Sequence, residues 1–466
     1  LGVTHGWYTG VIEHATKTDY LTFGINPDNP HVVKGNAGSP YAIKDYYDID
    51  PDIAEEVPNR MAEFENLVKR THENGLKVII DFVPNHVARD YGKTNPSEGH
   101  PVLGSGDDKE THWKEENDFI YYPGCDLKLP TPCPKGMEPY QENPAMVTGN
   151  NCYSAEPGIN DWYETVKINY CDNHTGTWDR MLDIVRFWAS MGVDGFRCDM
   201  VELVPASFMK WLIAEIKKEY PSVIFIAEVY KKDLYHEYVR GVGFDYLYDK
   251  SGLYDTLRSV VEKNVDDNGM PVDLWQSTMG ITRSWQFLGD LQPYMLNFLE
   301  NHDEQRIASD FFVGDGFNAI PAFIVSATVG VQPFMLYAGQ ELGEKGMDKE
   351  GYSGIDGRTT IFDYWSVDTL RRWCNNGKYD TTCLTEDEKR LQKTYSQFLK
   401  LCNSEEAISD GTFYDLQYAN PNSANYDACN VYSYLRATEK ELLLIAVNFS
   451  KETRLQEIRI PAEAFD

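Results

Sequence analysis

A hydrophobic run that ends on an acid recurs along this chain, and it constrains the fold more than any other feature. Residues 76–83 read as a near-continuous buried strand with Asp81 inside it. Residues 193–199, 223–229 and 295–299 are of the same kind, with Asp199, Glu228 and Asp303 at or near their ends. A strand that is apolar throughout is buried on both faces, the condition of a parallel sheet covered by helices. Two of these strands follow a stripe of helical period: Met61, Phe64, Leu67, Val68 and Thr71 before Asn74-Gly75, and Trp178, Met181, Leu182, Val185 and Trp188 before Met191-Gly192. Helix, glycine stop and buried strand together make a repeating βα unit, so the fold class is α/β.

With 3–8, 244–248 and 334–337, seven strands are visible, one short of the eight that close a TIM (β/α)8 barrel. The expectation is a barrel whose first strand is absent from the chain as given. The βα rhythm breaks between about 87 and 177, a span rich in Gly, Pro, Asn and Tyr that reads as an irregular insertion after barrel strand 3. Residues 431–435, 441–449 and 455–460 are predicted strands of a C-terminal antiparallel β domain. The predicted organisation is a barrel from 1–86 and 178–403, an inserted domain from 87–177, and a β domain from 404–466.

A formal net charge of −30 over 466 residues repels phosphate backbones and anionic lipid surfaces, so no nucleic-acid partner is expected and neutral substrates fit better. The longest uncharged stretch, 317–340, has the length of a membrane span, but Pro321, Gln332 and Pro333 interrupt it. It is predicted to be a buried helix followed by a buried strand, with no transmembrane segment. No signal peptide is visible at Leu1-Gly2-Val3-Thr4, which has neither a Met nor a basic n-region, and the expectation is that the start of the chain has been removed. Of nine cysteines at least one is unpaired; Cys125 with Cys133, Cys152 with Cys171, Cys374 with Cys383, and Cys402 with Cys429 are near pairs suited to disulfides in an extracellular or periplasmic protein. Cys198 lies in an apolar run and is expected to be a buried thiol. None of the cysteine spacings makes a zinc site.

The acids in the strands carry the chemistry, because an ionised carboxyl is costly to bury unless it is paired or faces a cleft. Singly, each has an ordinary structural explanation as a satisfied carboxylate, a helix cap or a salt-bridge partner. Four such strands with His86, His302 and Arg197 interleaved are hard to explain as packing, and strand ends are where a barrel builds its site. Arg197 and Asp199 project to the same face of one strand, and the guanidinium is expected to lower the carboxyl pKa of Asp199. Glu228 has no basic residue beside it in sequence and is expected to be raised toward a general acid. Two acids pushed apart in this way is the division of labour of glycoside hydrolysis.

Asp81-Phe-Val-Pro-Asn85-His86, Gly195-Phe-Arg197-Cys-Asp199, Glu228-Val-Tyr230 and Asn301-His302-Asp303 together resemble, in order and spacing, the four short regions of the α-amylase family of glycoside hydrolases. Tyr41-Ala-Ile-Lys-Asp45 and Gln332-Pro-Phe-Met-Leu-Tyr337 extend the resemblance, which runs from Leu1 to about Trp365. The resemblance implies a retaining α-glycosidase acting on α-1,4-linked glucans or malto-oligosaccharides. Asp199 is the implied nucleophile, Glu228 the acid and base, and Asp303 the transition-state stabiliser. Arg197 is implied to orient Asp199, His86 and His302 to bind the reacting sugar, Asp81 to serve the same site, Tyr41 to stack on the pyranose and Tyr230 to line a neighbouring subsite. Buried structural histidines are the alternative for His86 and His302. No cofactor is implied except calcium, and the metal site departs from the pattern. Asn85 is present, but the segment 156–160 carries Gly158 where the family has an acid, and Leu203 replaces its His. Calcium is therefore expected to bind weakly or not at all. An exo-acting α-glucosidase, a transglycosylase and a non-catalytic relative that has lost its acids are the competing readings.

Overall fold

The computed structural model describes residues 1–92, 99–263, 272–273, 276–346, 355–364 and 366–465. Seven strands form one sheet: β1 (His5–Tyr8), β2 (Lys77–Phe82), β3 (Gly195–Cys198), β4 (Ile224–Ala227), β5 (Tyr246–Tyr248), β6 (Met295–Phe298) and β7 (Phe334–Met335). Their order across the sheet follows the chain, and every pairing is parallel. These are the seven predicted strands of the barrel. Among the described residues no strand joins β7 back to β1, and the sheet is open along that edge.

Strand periodicity sorts the side chains into two cores. Val78, Ile80, Phe82, Phe196, Phe225 and Leu247 face outward and pack with helices α1 (Arg60–Glu73), α2 (Gly176–Ser190) and α3 (Ala206–Glu219), the first two being the helices predicted from their stripes. Ile79, Ile226, Tyr248, Leu296 and Phe298 face inward, with Trp7 and Met335 against them. Asp81, Arg197, Asp199 and Glu228 have the inward parity. Gly195 belongs to the inward row because nothing larger fits: a Cβ there would lie 2.6 Å from Ile224 Cγ1 and 3.3 Å from Ile79 Cγ1.

Between β2 and α2 the chain is mostly irregular. It holds two short antiparallel ribbons, His86–Ala88 with Thr165–Lys167 and Tyr121–Tyr122 with Ala145–Met146. The uncharged stretch at 317–340 folds as helix α4 (Ile320–Thr328) and strand β7. Among the described residues no helix is long and apolar enough to cross a membrane.

The small C-terminal sheet is antiparallel, with strands Thr412–Asp415, Val431–Ala437 and Leu442–Asn448. It corrects the sequence reading twice. Thr412–Asp415 was not foreseen, and 455–460 is not a strand. That segment is tied to the 420–427 loop by a backbone bond from Glu457 N to the Asn425 carbonyl at 2.9 Å and by side chains: Asn420 Oδ1 accepts from Arg459 N at 2.7 Å, and Gln456 Oε1 from Asp427 N at 2.7 Å. Those bonds take the place of a ladder. All nine cysteines are free thiols, and none of the four near pairs forms a disulfide. Cys133 Sγ turns to the carbonyl of Met137 and Cys402 Sγ to that of Ala327. Cys198 is buried as expected, and burial pushes its thiol up.

Candidate active site

The register of the sheet assembles the site. Asp81 in β2 pairs directly with Arg197 in β3, and Asp199 and Glu228 follow the last residues of β3 and β4. Their backbone N–H groups continue the ladder, Asp199 to the Phe82 carbonyl at 2.9 Å and Glu228 to the Cys198 carbonyl at 3.1 Å. Two carboxylates at the ends of neighbouring parallel strands are thus set side by side.

Arg197 is the hub. Its Nη1 donates to Asp199 Oδ1 at 2.6 Å and lies 3.5 Å from Asp81 Oδ1, while Nη2 lies 2.9 Å from Glu228 Oε1. Nε donates to the Tyr248 hydroxyl at 3.3 Å, and the Tyr41 ring stands 5.2 Å from the guanidinium carbon. Glu228 therefore does have a base beside it, contrary to the sequence reading, because strand neighbours are not sequence neighbours. Asp199 departs from expectation too. Burial and the facing Glu228 charge hold its carboxyl well above the usual range, and Arg197 opposes them without overcoming them.

Glu228 accepts two more hydrogen bonds, from Met200 N to Oε2 at 2.8 Å and from the Tyr230 hydroxyl to Oε1 at 2.7 Å. Met200 takes a left-handed conformation, φ 46°, to make the first. Tyr230 meets the carboxylate through its oxygen, whereas its sequence position suggested only an aromatic wall. Glu202 accepts from the Tyr230 and Lys231 backbone N–H groups and binds the loops after β3 and β4 together.

Asp303 lies five residues past β6, in a turn where Asn301 Oδ1 accepts from the N–H groups of Asp303 and Glu304, both at 2.9 Å. Its side chain is 44% exposed, so it opens to solvent while Asp199 and Glu228 are buried. His302 Nε2 lies 3.1 Å from Asp303 Oδ2 and 2.7 Å from the Tyr41 hydroxyl, and the two rings stack at 5.3 Å. Burial would raise Asp303, but the His302 charge and hydrogen bond outweigh it and hold the carboxyl at about 2. The same pair raises His302 against the opposing effect of burial.

His86 is buried and tilts against Trp162 with ring centroids 5.2 Å apart. Burial first, then the charges of Lys167 and Lys34, lower it to about 3, which makes it a neutral imidazole. Asp81 is turned toward Trp7 Nε1, at 3.2 Å, and toward Arg197; burial raises its carboxyl. Eight of the nine predicted residues thus belong to one continuous constellation, joined through Arg197, Tyr41 and His302, and His86 meets it at the Tyr41 backbone. Its chemistry is that of several carboxylates held around one guanidinium at the end of a parallel sheet.

A family model described as the catalytic domain of alpha amylase matches residues 1–410. The chain belongs to the α-amylase family of glycoside hydrolases. Its relatives include Alpha-amylase 3 of Dictyoglomus thermophilum, 23% identical over 80% of this chain and 68% of that protein. They also include the amino acid transporter heavy chain SLC3A1 of Rattus norvegicus, 27% identical over 47% of this chain; the matched part is 28% of that protein. Among solved structures, a noncanonic maltogenic alpha-amylase, AmyB, from Thermotoga neapolitana shares the fold at TM-score 0.58 and 21% identity, covering 96% of this chain and 78% of that one.

Within this α-amylase-family domain the calcium question turns on geometry. Gly158 is exposed and gives its N–H to Asp161 Oδ2 at 2.6 Å. The group that meets Asn85 and the Leu203 carbonyl is Lys167, which donates to Asn85 Oδ1 at 2.8 Å and to Leu203 O at 3.1 Å. A divalent cation that requires six to eight oxygens, carboxylates among them, does not fit beside an ammonium and two neutral oxygens. Among the described residues no cluster of three or more His, Cys, Asp or Glu side chains is suited to a metal. Sequence reasoning missed Lys167, Tyr248, Glu202 and Met200; only Tyr248, ending a buried strand with the inward parity, carried a readable signal.

Proposed function

We propose that this domain is a retaining α-glycosidase that hydrolyses α-1,4-glucosidic bonds in starch-like glucans or malto-oligosaccharides by double displacement. The observation that carries the reading is the single guanidinium of Arg197 gripping both Asp199 and Glu228. Carboxylates on neighbouring nitrogens of one guanidinium stand close together, and retention needs a nucleophile and an acid about 5 to 5.5 Å apart, without room for water between them.

In this reading Glu228 protonates the leaving glycosidic oxygen as Asp199 attacks the anomeric carbon, giving a covalent glycosyl ester. Glu228 then takes a proton from water, which attacks the same carbon and frees Asp199. Asp303, ionised through its His302 contact, stabilises positive charge on the sugar ring. His86, neutral, and His302 bind hydroxyls, and Tyr41 closes one side.

Proton NMR of the first-formed anomer from maltoheptaose tests retention, and the product profile on maltoheptaose and amylose tests the mode. Mixed short oligomers with α-configuration are expected. Glucose alone would favour an exo-acting α-glucosidase, and lengthened chains a transglycosylase. A non-catalytic, sugar-binding role is the remaining alternative, and the presence of Asp199, Glu228 and Asp303 together speaks against it.

A further inference from the structure

We propose that the ammonium of Lys167 is a built-in replacement for a structural calcium ion, clamping the inserted segment to the loop that follows Asp199. Its two acceptors, Asn85 Oδ1 at 2.8 Å and Leu203 O at 3.1 Å, come from different places in the chain. Asn85 lies just beyond β2, and Leu203 ends the 3-10 turn Val201–Leu203 that follows Asp199 and Met200. Lys167 ends the strand Thr165–Lys167, registered opposite His86, with its own N–H bonded to the Val147 carbonyl at 2.9 Å. A cation at this point joins insertion, strand end and catalytic loop.

The backbone fixes where the ammonium goes. Lys167 is 8% exposed, so its charge is stable only where protein oxygens replace water, and the two acceptors supply them. The strand pairing holds the lysine stem in register, so Nζ reaches the same two oxygens whenever the insertion is folded. An ion at such a junction dissociates with dilution or chelation, which makes stability depend on its concentration. A side chain does not dissociate.

Both ends of the clamp lead to the reacting groups. Because Lys167 donates to Oδ1, the Asn85 amide presents Nδ2 to the Gly149 carbonyl at 2.8 Å and to His86 Nδ1 at 3.1 Å. Nδ2 can only donate, so His86 Nδ1 accepts and the ring proton sits on Nε2. At the other end the anchored turn begins at Met200, whose N–H holds Glu228 Oε2. Lys167 is thus a positioning residue for His86 and Glu228 rather than a catalytic one.

The test is thermal unfolding of the full chain in EDTA and in excess calcium chloride, for the wild type and for Lys167→Met, Lys167→Arg and Lys167→Asp, with kcat and KM on maltoheptaose. The wild type is expected to melt at the same temperature in both media. Lys167→Met melts lower in both, by at least about 3 °C. It loses roughly 10- to 100-fold in kcat with a smaller change in KM, and Lys167→Arg recovers much of the loss. Lys167→Asp is destabilised in EDTA and recovers in calcium, because its carboxylate joins the two oxygens in a charged cradle.

Three results overturn the proposal: a wild type that loses melting temperature on chelation, a Lys167→Met variant as stable and active as wild type, or a Lys167→Asp variant indifferent to calcium. If the Met and Asp variants do not fold, calorimetric titration of the wild type with calcium decides, with no bound ion supporting the proposal and one bound ion refuting it. The melting readouts stand whichever glucan the domain cuts, so failure here is distinguishable from failure of the glycosidase reading.

Discussion

The guanidinium of Arg197 sits 2.9 Å from Glu228 Oε1 while its other terminal nitrogen donates to Asp199 at 2.6 Å, so the two acids are held by one buried cation. Removing that cation leaves like charges facing each other with no compensation. Arg197→Met is expected to cost about 3 to 5 kcal/mol of stability, the range for breaking one side of a buried ion pair, and to abolish activity. Arg197→Lys restores the charge but not the fork, and should regain stability without regaining turnover. Denaturant unfolding with kinetics on the same preparations checks both; wild-type stability for Arg197→Met would remove Arg197 from the centre of the site.

The two acids should respond differently from structural carboxylates. Asp199→Asn and Glu228→Gln are expected to lower kcat by at least about 1,000-fold with the fold intact. Asp199 is held above its ordinary value by burial and by Glu228, so its ionised form costs more in the folded protein than in the unfolded chain. Neutralising it removes repulsion, and Asp199→Asn is expected to melt no lower than the wild type at pH 7, an exchange of stability against function. A drop of several degrees would show Asp199 to be structural.

How much of this was legible in sequence depends on whether a relationship is local. Asp81, Asp199 and Glu228 stand out because each interrupts or ends an apolar strand, and period-two alternation aims Arg197 with Asp199. The reach of Arg197 to Glu228 was not legible, since it depends on which strands are neighbours, and the inferred pKa of Asp199 failed because burial, and then the Glu228 charge on the neighbouring strand, act against Arg197. Lys167 was invisible because 82 residues separate it from Asn85 and only folding of the insertion joins them. The 455–460 segment misled because its alternation matches a strand while its bonds to the 420–427 loop run mostly through side chains, Asn420 and Gln456 among them, rather than through a ladder.

The His302–Asp303 pair gives a pH signature. His302 is raised above 6.5, so its contribution is complete below that value and is lost as pH rises through the higher folded one. Asp303 is lowered from 3.8 to about 2, so its contribution is complete above 3.8 and is lost as pH falls toward 2. The pair stabilises fully only between about 3.8 and 6.5. His302→Gln should therefore lower the melting temperature most near pH 5 and progressively less above pH 7, with a modest amplitude because Asp303 is 44% exposed. A deficit that stays constant from pH 5 to 8 would mean that His302 acts through packing alone.

The inward row leaves no room at Gly195, and this can be measured apart from catalysis. A methyl group there would press on Ile224 Cγ1 at 2.6 Å inside the sheet, and overpacking of this kind costs about 1 to 3 kcal/mol. Gly75, at φ 74° with nothing within 4 Å, is the control in which a methyl group meets backbone strain but no neighbour. In a double-mutant cycle, Ile224→Ala should make the Gly195→Ala change cheaper, giving a favourable coupling of roughly 1 kcal/mol, whereas Gly75→Ala and Ile224→Ala should add independently. Because Gly195 lies two residues before Arg197 in β3, Gly195→Ala is also expected to disturb the guanidinium's hold on Asp199 and lower kcat, and the Ile224→Ala partner should recover part of that loss. Additivity at Gly195 would mean that the strand shifts to accommodate the methyl group, and kcat should then follow the shift rather than the clash.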